Sequence, residues 1–149
     1  MADASTLSKP LVIVSWILQI AAVAILAMAM IPKFTGDEGS IAMFEILGVD
    51  PFGRYAAGLL ELTAVVLLLI PRTIALGAIA ATLAMLGALG AHLTKLGVSI
   101  DAAKLEAPAL EAVNGPSLFV MALFVLASSL AVLFIRRGSL PFIGAKSES

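Results

Sequence analysis

The sequence contains no cysteine and only one histidine, and charged residues make up only 13% of its 149 positions. Without cysteine there is no disulfide, no cysteine-ligated zinc and no iron–sulfur cluster. One histidine does not make a bis-histidine haem site or a metal cluster, so no metal site is predicted. The formal net charge of -1 provides no basic field for phosphate backbones, which excludes nucleic acid as a partner.

Apolar residues are abundant instead, at 61% of the chain, with a mean hydropathy of +1.11. A soluble domain averages about 45–50% apolar residues and about 25% charged residues. A soluble chain of this length could not bury so much apolar surface, because small domains leave a large fraction of their surface exposed. The composition therefore predicts a single integral membrane domain over residues 1–149.

Four continuously apolar blocks cover residues 11–31, 55–70, 73–93 and 117–135. A bilayer span needs about 17–25 helical residues, and unbroken apolarity favours helices over barrel strands. The first block is expected to remain as a span, because it is longer than the about 7–15 apolar residues of a signal peptide. Only Pro71 and Arg72 separate the second block from the third, which predicts a hairpin. We predict an all-α fold, an antiparallel bundle of four transmembrane helices with flexible tails at 1–8 and 144–149.

The loop between the first two blocks predicts a short amphipathic helix. Ser40 has the side chain of an N-cap, and Gly48 is suited to end the helix. Between them, Ile41, Phe44 and Leu47 would share one side. Such a helix would lie on the membrane surface or fold back over the bundle.

With four spans, both termini and the hairpin turn share one side of the membrane. That side carries five of the nine basic residues, which are Lys9, Arg72, Arg136, Arg137 and Lys146. Positive charge favours the cytoplasmic side, and the adjacent pair at 136–137 adds to the bias. We therefore expect a bacterial-type inner (plasma) membrane protein with both termini in the cytoplasm and the two long loops outside.

Glu61 is the leading candidate functional residue, because it lies about six residues into the second block among apolar neighbours. A carboxylate in hydrocarbon is costly unless it is neutralised or paired, so it should face the bundle interior. Arg54, Gly58 and Glu61 recur at spacings of four and three, on one helix face, and Gly58 should leave space beside the carboxylate. A structural ion pair and a proton-handling or ligand-binding carboxyl are both open interpretations.

Other polar residues are predicted at a similar depth. Lys33 ends the first span outward and His92 ends the third, while Glu61 lies roughly 9–10 Å below the outer edge at the helical rise per residue. Lys33 alone is typical of an interfacial lysine, and His92 alone of a hydrogen-bonded interfacial histidine. Their common depth with Arg54 favours one polar cluster in the outer half of the bundle.

Two further features concern packing between the helices. Small residues recur at spacings of three and four along the third span, at Gly77, Ala81, Ala84, Ala88 and Ala91. Small faces let helices approach closely, so the stripe favours a helix–helix seam over a cofactor groove. Gln19, in the middle of the first span, predicts an interhelical hydrogen bond.

Together these residues resemble the DoxX and DoxX-like family of small four-helix membrane proteins. The similarity extends over about residues 11–135 and lies in Met30-Ile31-Pro32-Lys33-Phe34, Phe44, Gly48, Arg54-Tyr55, Gly58-Leu59-Leu60-Glu61, Pro71, Gly77 and His92. In that family a lysine closes the first helix, and a Gly-x-x-Glu element follows in the second. Many members also carry an arginine early in the first helix, where this sequence has Gln19.

The resemblance implies a role beside a membrane redox system, since the family name derives from a subunit of a thiosulfate:quinone oxidoreductase. We therefore expect a subunit that binds a quinone-like small molecule, with candidate ligand-binding or proton-handling residues Glu61, His92, Lys33, Arg54 and Gly58. No cofactor other than a bound quinone is suggested, and the sequence does not decide whether the chain is catalytic.

Other functions stay open at this stage. A distant animal relative of the family is an assembly chaperone for nicotinic receptors, so the alternative is an assembly factor whose polar cluster is purely structural. A transporter or channel ranks last, because the sequence shows no inverted repeat. The expected partners are the lipid bilayer and a membrane redox or other membrane protein, with a homo-oligomer left open.

Overall fold

A computed structural model describes residues 7–140 of the chain. Its five α-helices are α1 Lys9–Thr35, α2 Glu38–Leu47, α3 Phe52–Leu69, α4 Ile74–Ala91 and α5 Ser117–Arg136. All except α2 belong to segments long and apolar enough to cross a membrane, and no β-strand forms between residues 7 and 140. The predicted all-α, four-helix architecture is confirmed. Apart from residues 7 and 8, the tails predicted at 1–8 and 144–149 lie outside the described residues.

The four long helices form a ring in which each one contacts two neighbours. α1 packs against α3 and α5, and α4 packs against the same two helices. Because successive spans run in opposite directions, every neighbouring pair is antiparallel. Large apolar side chains fill the interior, while others on the outer faces, such as Ile17, Leu83 and Phe134, are exposed. This arrangement identifies a multi-pass membrane protein whose outer faces contact lipid.

The turn between α3 and α4 brings their backbones into direct contact. A Cβ atom added at Gly77 would lie 2.5 Å from the backbone nitrogen of Leu68, so only glycine allows this approach. Ala81 is also buried, whereas Ala84 and Ala88 are only partly buried. The seam predicted from the small residues is therefore present, and it is tightest at the hairpin end.

α2 begins one turn earlier in the chain than its predicted cap implies. The carboxylate of Asp37 accepts a hydrogen bond from the Ser40 amide at 3.2 Å, so Asp37 is the N-cap. The prediction that Ser40 caps the helix is wrong, because Ser40 already lies inside the first turn. Gly48 ends the helix in the left-handed conformation, with a φ of 78°.

Outside the ring, α2 covers the second long loop. Ile100, Ala102 and Leu110 of that loop form a small buried cluster, and Leu110 belongs to the 3-10 helix Pro108–Val113. The residues of α2 that pack against it are Ala42, Met43 and Ile46. The face of α2 that packs on the loop therefore lies next to the predicted face of Ile41, Phe44 and Leu47. The loop supplies the apolar surface that this part of the helix covers.

Candidate functional site

The carboxylate of Glu61 faces the bundle interior, and only 5% of the residue is exposed. The amine Nζ of Lys33 donates a hydrogen bond to Oε1 at 2.9 Å and lies 2.9 Å from Oε2. The same amine donates to the carbonyl oxygen of Ala29 at 2.7 Å, which turns the side chain back along α1. Lys33 is therefore an internal partner of Glu61, and the pair joins α1 to α3.

The end of α1 carries Lys33 into this position. The helix continues past Pro32 and ends at Thr35, and Gly36 closes it in the left-handed conformation with a φ of 72°. Pro32 deprives the helix of one hydrogen bond close to its end, where the loss disturbs few further turns. The extra turn keeps Lys33 helical and aimed at α3 rather than in a loop.

Arg54 contributes to the cluster without contacting the carboxylate of Glu61. Its Nε donates to Oδ1 of Asp50 at 2.6 Å, and its Nη1 donates to the carbonyl oxygen of Lys33 at 2.5 Å. Its guanidinium carbon also lies 4.5 Å from the centre of the Tyr55 ring. A cation beside the last carbonyls of α1 opposes their partial negative charge, so Arg54 fixes the end of α1 against α3.

Gly58 allows the end of α1 to pack closely against α3 beside the ion pair. A Cβ atom there would lie 3.0 Å from Cζ of Phe34 and 3.4 Å from Cβ of Lys33. The expectation of free space at this point is wrong, because the Phe34 ring covers Gly58. That ring stacks on Tyr55 with centroids 6.4 Å apart, and the two residues are 40% and 43% exposed. An exposed aromatic pair thus lies directly outside the buried charges.

His92 is also buried, and its side chain contacts the loop that follows α4 and the first turn of α5. It begins a π-helical turn, His92–Leu96, and its Nδ1 donates to the carbonyl oxygen of Gly97 at 2.8 Å. The ring meets Phe119 edge to face, with centroids 5.7 Å apart. The structure therefore unites Lys33, Glu61, Gly58 and Arg54, and it gives His92 an anchoring position where the loop leaves α4.

A second polar cluster lies at the opposite end of the bundle, where the sequence predicted none. Nε of Arg136 donates to Oγ of Ser15 at 2.9 Å, and Nε2 of Gln19 donates to the same oxygen at 2.5 Å. The bond made by Gln19 is thus within α1, and its prediction as an interhelical bond is wrong. The usable signal was the i, i+4 spacing of Ser15 and Gln19 on an otherwise apolar helix.

No family model, curated protein or solved structure matches the chain. Within residues 7–140, no group of three histidine, aspartate or glutamate side chains is placed to hold a metal ion. The geometry describes the protein as an all-α, multi-pass membrane protein with a polar cluster at each end of its bundle.

Proposed function

We propose that the protein is a membrane subunit that binds a quinone-like molecule beside the Lys33–Glu61 pair and acts with a membrane redox partner. The observation that carries this proposal is the aromatic ring lying on Gly58 next to two buried charges. The proposal is supported by Phe34, whose ring places Cζ and Cε2 within 3.0 Å and 3.2 Å of the point where a Cβ of residue 58 would lie. In this proposal the Phe34 side chain, which is 40% exposed, rotates outward and a ligand ring takes its place.

The polar groups around this surface suit a ring that carries carbonyl oxygens. The amine of Lys33 can donate to a carbonyl, as it does to Ala29. Oε2 of Glu61 lies 2.9 Å from the Lys33 amine but makes no hydrogen bond with the described residues, and in this proposal it accepts one from a ligand hydroxyl. A bound quinone supplies two-electron, two-proton chemistry, and the redox partner supplies the electrons. In this proposal Lys33 orients the ring and Glu61 holds a proton.

Quinone retention tests this proposal. The protein is purified in mild detergent, loaded with a short-chain quinone, and the bound quinone is quantified by chromatography after desalting. Wild type should retain quinone, and Gly58→Leu should abolish retention because its side chain fills the ring surface. Gly87→Leu is the matched control, since a Cβ at Gly87 meets no neighbouring atom, and it should retain quinone like wild type. Equal retention by both variants, or none by wild type, would refute the proposal.

We also propose that the protein resides in a bacterial-type inner membrane with both termini in the cytoplasm. The resemblance to the DoxX family and the basic residues at the hairpin end support this orientation. Fusing a fluorescent protein or alkaline phosphatase to the C-terminus, and separately within the second long loop, tests it. Fluorescence should mark the C-terminal fusion and phosphatase activity the loop fusion. The reverse pattern would contradict the orientation.

An assembly factor for other membrane proteins is the second candidate. It is favoured by the observation that Lys33 and Glu61 pair with one another inside the bundle, so that the cluster is stable without a ligand. In this case Glu61→Gln should reduce client binding only as far as it reduces folded protein. Crosslinking in membranes, followed by identification of a specific client, measures this. A fully stable Glu61→Gln variant that lost its client would count against the assembly role.

A further inference from the structure

A buried cation closes the Lys33–Glu61 pair toward the outer end of the bundle. Arg54 precedes Glu61 by seven residues, two turns nearer that end of α3 and on the same face. It is only 4% exposed, and it donates to Asp50 at 2.6 Å and to the carbonyl oxygen of Lys33 at 2.5 Å. A molecule that approached the pair from the water would have to break these charged hydrogen bonds, which are costly to leave unmade.

α2 and the second long loop form a further layer over the same end. α2 contacts α1, α3, the π-helical turn after α4 and the 3-10 helix before α5, so it lies across the end of the ring. This layer is closely packed: a Cβ atom at Gly39 would lie 3.0 Å from the carbonyl oxygen of Ala109. The amine of Lys95 also donates to the last carbonyl of α2, that of Leu47, at 3.4 Å. The outer end of the ring is therefore covered.

Apolar side chains close the pair toward the middle of the bundle. All four long helices contribute buried residues to this core, among them Leu26, Ala64, Leu68, Met85, Leu89 and Val125. Each of these residues is at most 8% exposed. A polar ring that came through this core would displace well-packed side chains, which is costly.

The side that faces lipid is closed by much less. Phe34 and Tyr55 stack across the boundary of α1 and α3, they are 40% and 43% exposed, and the Phe34 ring covers Gly58. Ile31 and Leu59, about one turn deeper on the same helices, are 54% and 56% exposed and continue an apolar surface. Aromatic residues are common at membrane interfaces, but an interfacial belt does not require a ring on a glycine beside an ion pair. One aromatic ring thus separates Gly58 from the lipid.

We propose that the boundary of α1 and α3 at Phe34 and Tyr55, called the lateral portal below, admits the ligand from the bilayer. This inference rests on the proposed function and assigns its ligand to the quinones that carry an apolar tail and dissolve in lipid. When Phe34 turns outward, the ligand ring enters over Gly58 and stacks on Tyr55, as Phe34 does in the closed state. The tail remains outside, along Ile31 and Leu59. A water-soluble quinone has no route through the covered outer end.

Cysteine labelling tests the lateral portal, because the natural chain contains no cysteine. Tyr55→Cys in phosphatidylcholine nanodiscs is treated with a bulky sulfonated maleimide, either before or after loading with decyl-ubiquinone. Labelling before loading should abolish uptake, and labelling after loading should slow release, each relative to the unlabelled variant. The matched control is Val120→Cys, whose side chain is 58% exposed on α5, a helix that does not form the portal. Its labelling should change neither rate.

Other results would overturn the portal in distinguishable ways. If labelled Tyr55→Cys loads and releases quinone like the unlabelled variant, while Gly58→Leu still abolishes retention, the portal is wrong and the proposed function stands. Retention of a sulfonated naphthoquinone by the labelled variant would reveal a route from water and refute the ligand class. If wild type retains no quinone, the proposed function and the portal fail together. If Tyr55→Cys does not accumulate, Leu59→Cys on the same rim replaces it, with the same expected outcomes.

Discussion

Replacing Glu61 by glutamine removes the charge of the buried pair while keeping the shape of the side chain. The side chains of Lys33 and Glu61 are 14% and 6% exposed, so the pair is almost free of water. Removing one partner from such a pair costs about 3–5 kcal/mol, because the other charge stays buried. Lys33 keeps its bond to Ala29, so we expect Glu61→Gln to lower the free energy of unfolding by about 3 kcal/mol.

A double variant shows whether this loss comes from the charge left behind. Lys33→Met alone leaves the carboxylate unpaired and should cost about as much as Glu61→Gln. Combining the two substitutions removes both charges, and neutral replacements of buried pairs are often well tolerated. The double variant should therefore be more stable than the sum of the single losses implies, by at least about 2 kcal/mol.

Equilibrium unfolding in mixed micelles, followed by far-ultraviolet circular dichroism, measures these free energies. The matched control is Glu45→Gln, which makes the same change at an exposed position of α2 and should stay within about 0.5 kcal/mol of wild type. Two results would refute the reasoning. One is a Glu61→Gln variant as stable as the Glu45→Gln control, and the other is a double variant whose loss equals the sum of the single losses.

Three further predictions use the same unfolding assay or amide hydrogen exchange. Gly77→Ala should lower the free energy of unfolding by about 1–3 kcal/mol, because the added Cβ meets the backbone of α3. Gly87→Ala should be neutral or stabilising by up to about 1 kcal/mol, because its Cβ meets no neighbouring atom. Equal effects of the two substitutions would contradict the close packing of α3 and α4 at Gly77. Asp37→Ala should lower the free energy of unfolding by about 1 kcal/mol and accelerate amide hydrogen exchange in α2 more than Ser40→Ala does. The opposite order would indicate that Ser40 is the N-cap. Arg54→Lys should lower the free energy of unfolding by about 1–2 kcal/mol, because one amine cannot reproduce the guanidinium bonds to both Asp50 and the Lys33 carbonyl. An unchanged unfolding midpoint would show that these bonds do not stabilise the fold.

The spans could be predicted from the sequence because continuous apolarity leaves few alternatives to a bilayer helix. Their ends depend on details that hydropathy does not contain. α1 runs to Thr35 rather than residue 31, because Pro32 sits where a helix can absorb its missing hydrogen bond and Gly36 supplies the stop. α2 begins at Glu38 because Asp37 offers a cap three residues before Ser40.

The inward direction of Glu61 was also predictable, since a carboxylate cannot face lipid tails at low cost. The cation that pairs with Glu61 was not predictable from the sequence. Arg54 has Asp50 four residues earlier in the chain, just before α3 begins, and this local partner takes the guanidinium, which leaves Lys33 for Glu61. The covering of Gly58 by Phe34 depends on how α1 is placed along α3, and neither helix encodes that placement alone.

Arg136 illustrates a different difficulty. An arginine in the last turn of a span ordinarily extends to the headgroups, and the sequence supports that interpretation equally well. Its actual course is set by Ser15, which lies 121 residues earlier in the chain and offers a buried acceptor. Such a contact follows from the ring order of the helices, which places α1 beside α5.

The unequal lengths of α1 and α3 have a consequence for the surrounding bilayer. α1 has 27 residues and α3 has 18, which correspond to about 40 Å and about 27 Å of helix. Lipids along α3 therefore meet a lower apolar wall than lipids along α1, its neighbour in the ring. The membrane must thin locally at α3, or the whole protein must tilt, and either response has a cost that grows with acyl-chain length. Because α1 is longer than the hydrocarbon core of about 30 Å and α3 is shorter, no single bilayer thickness matches both helices.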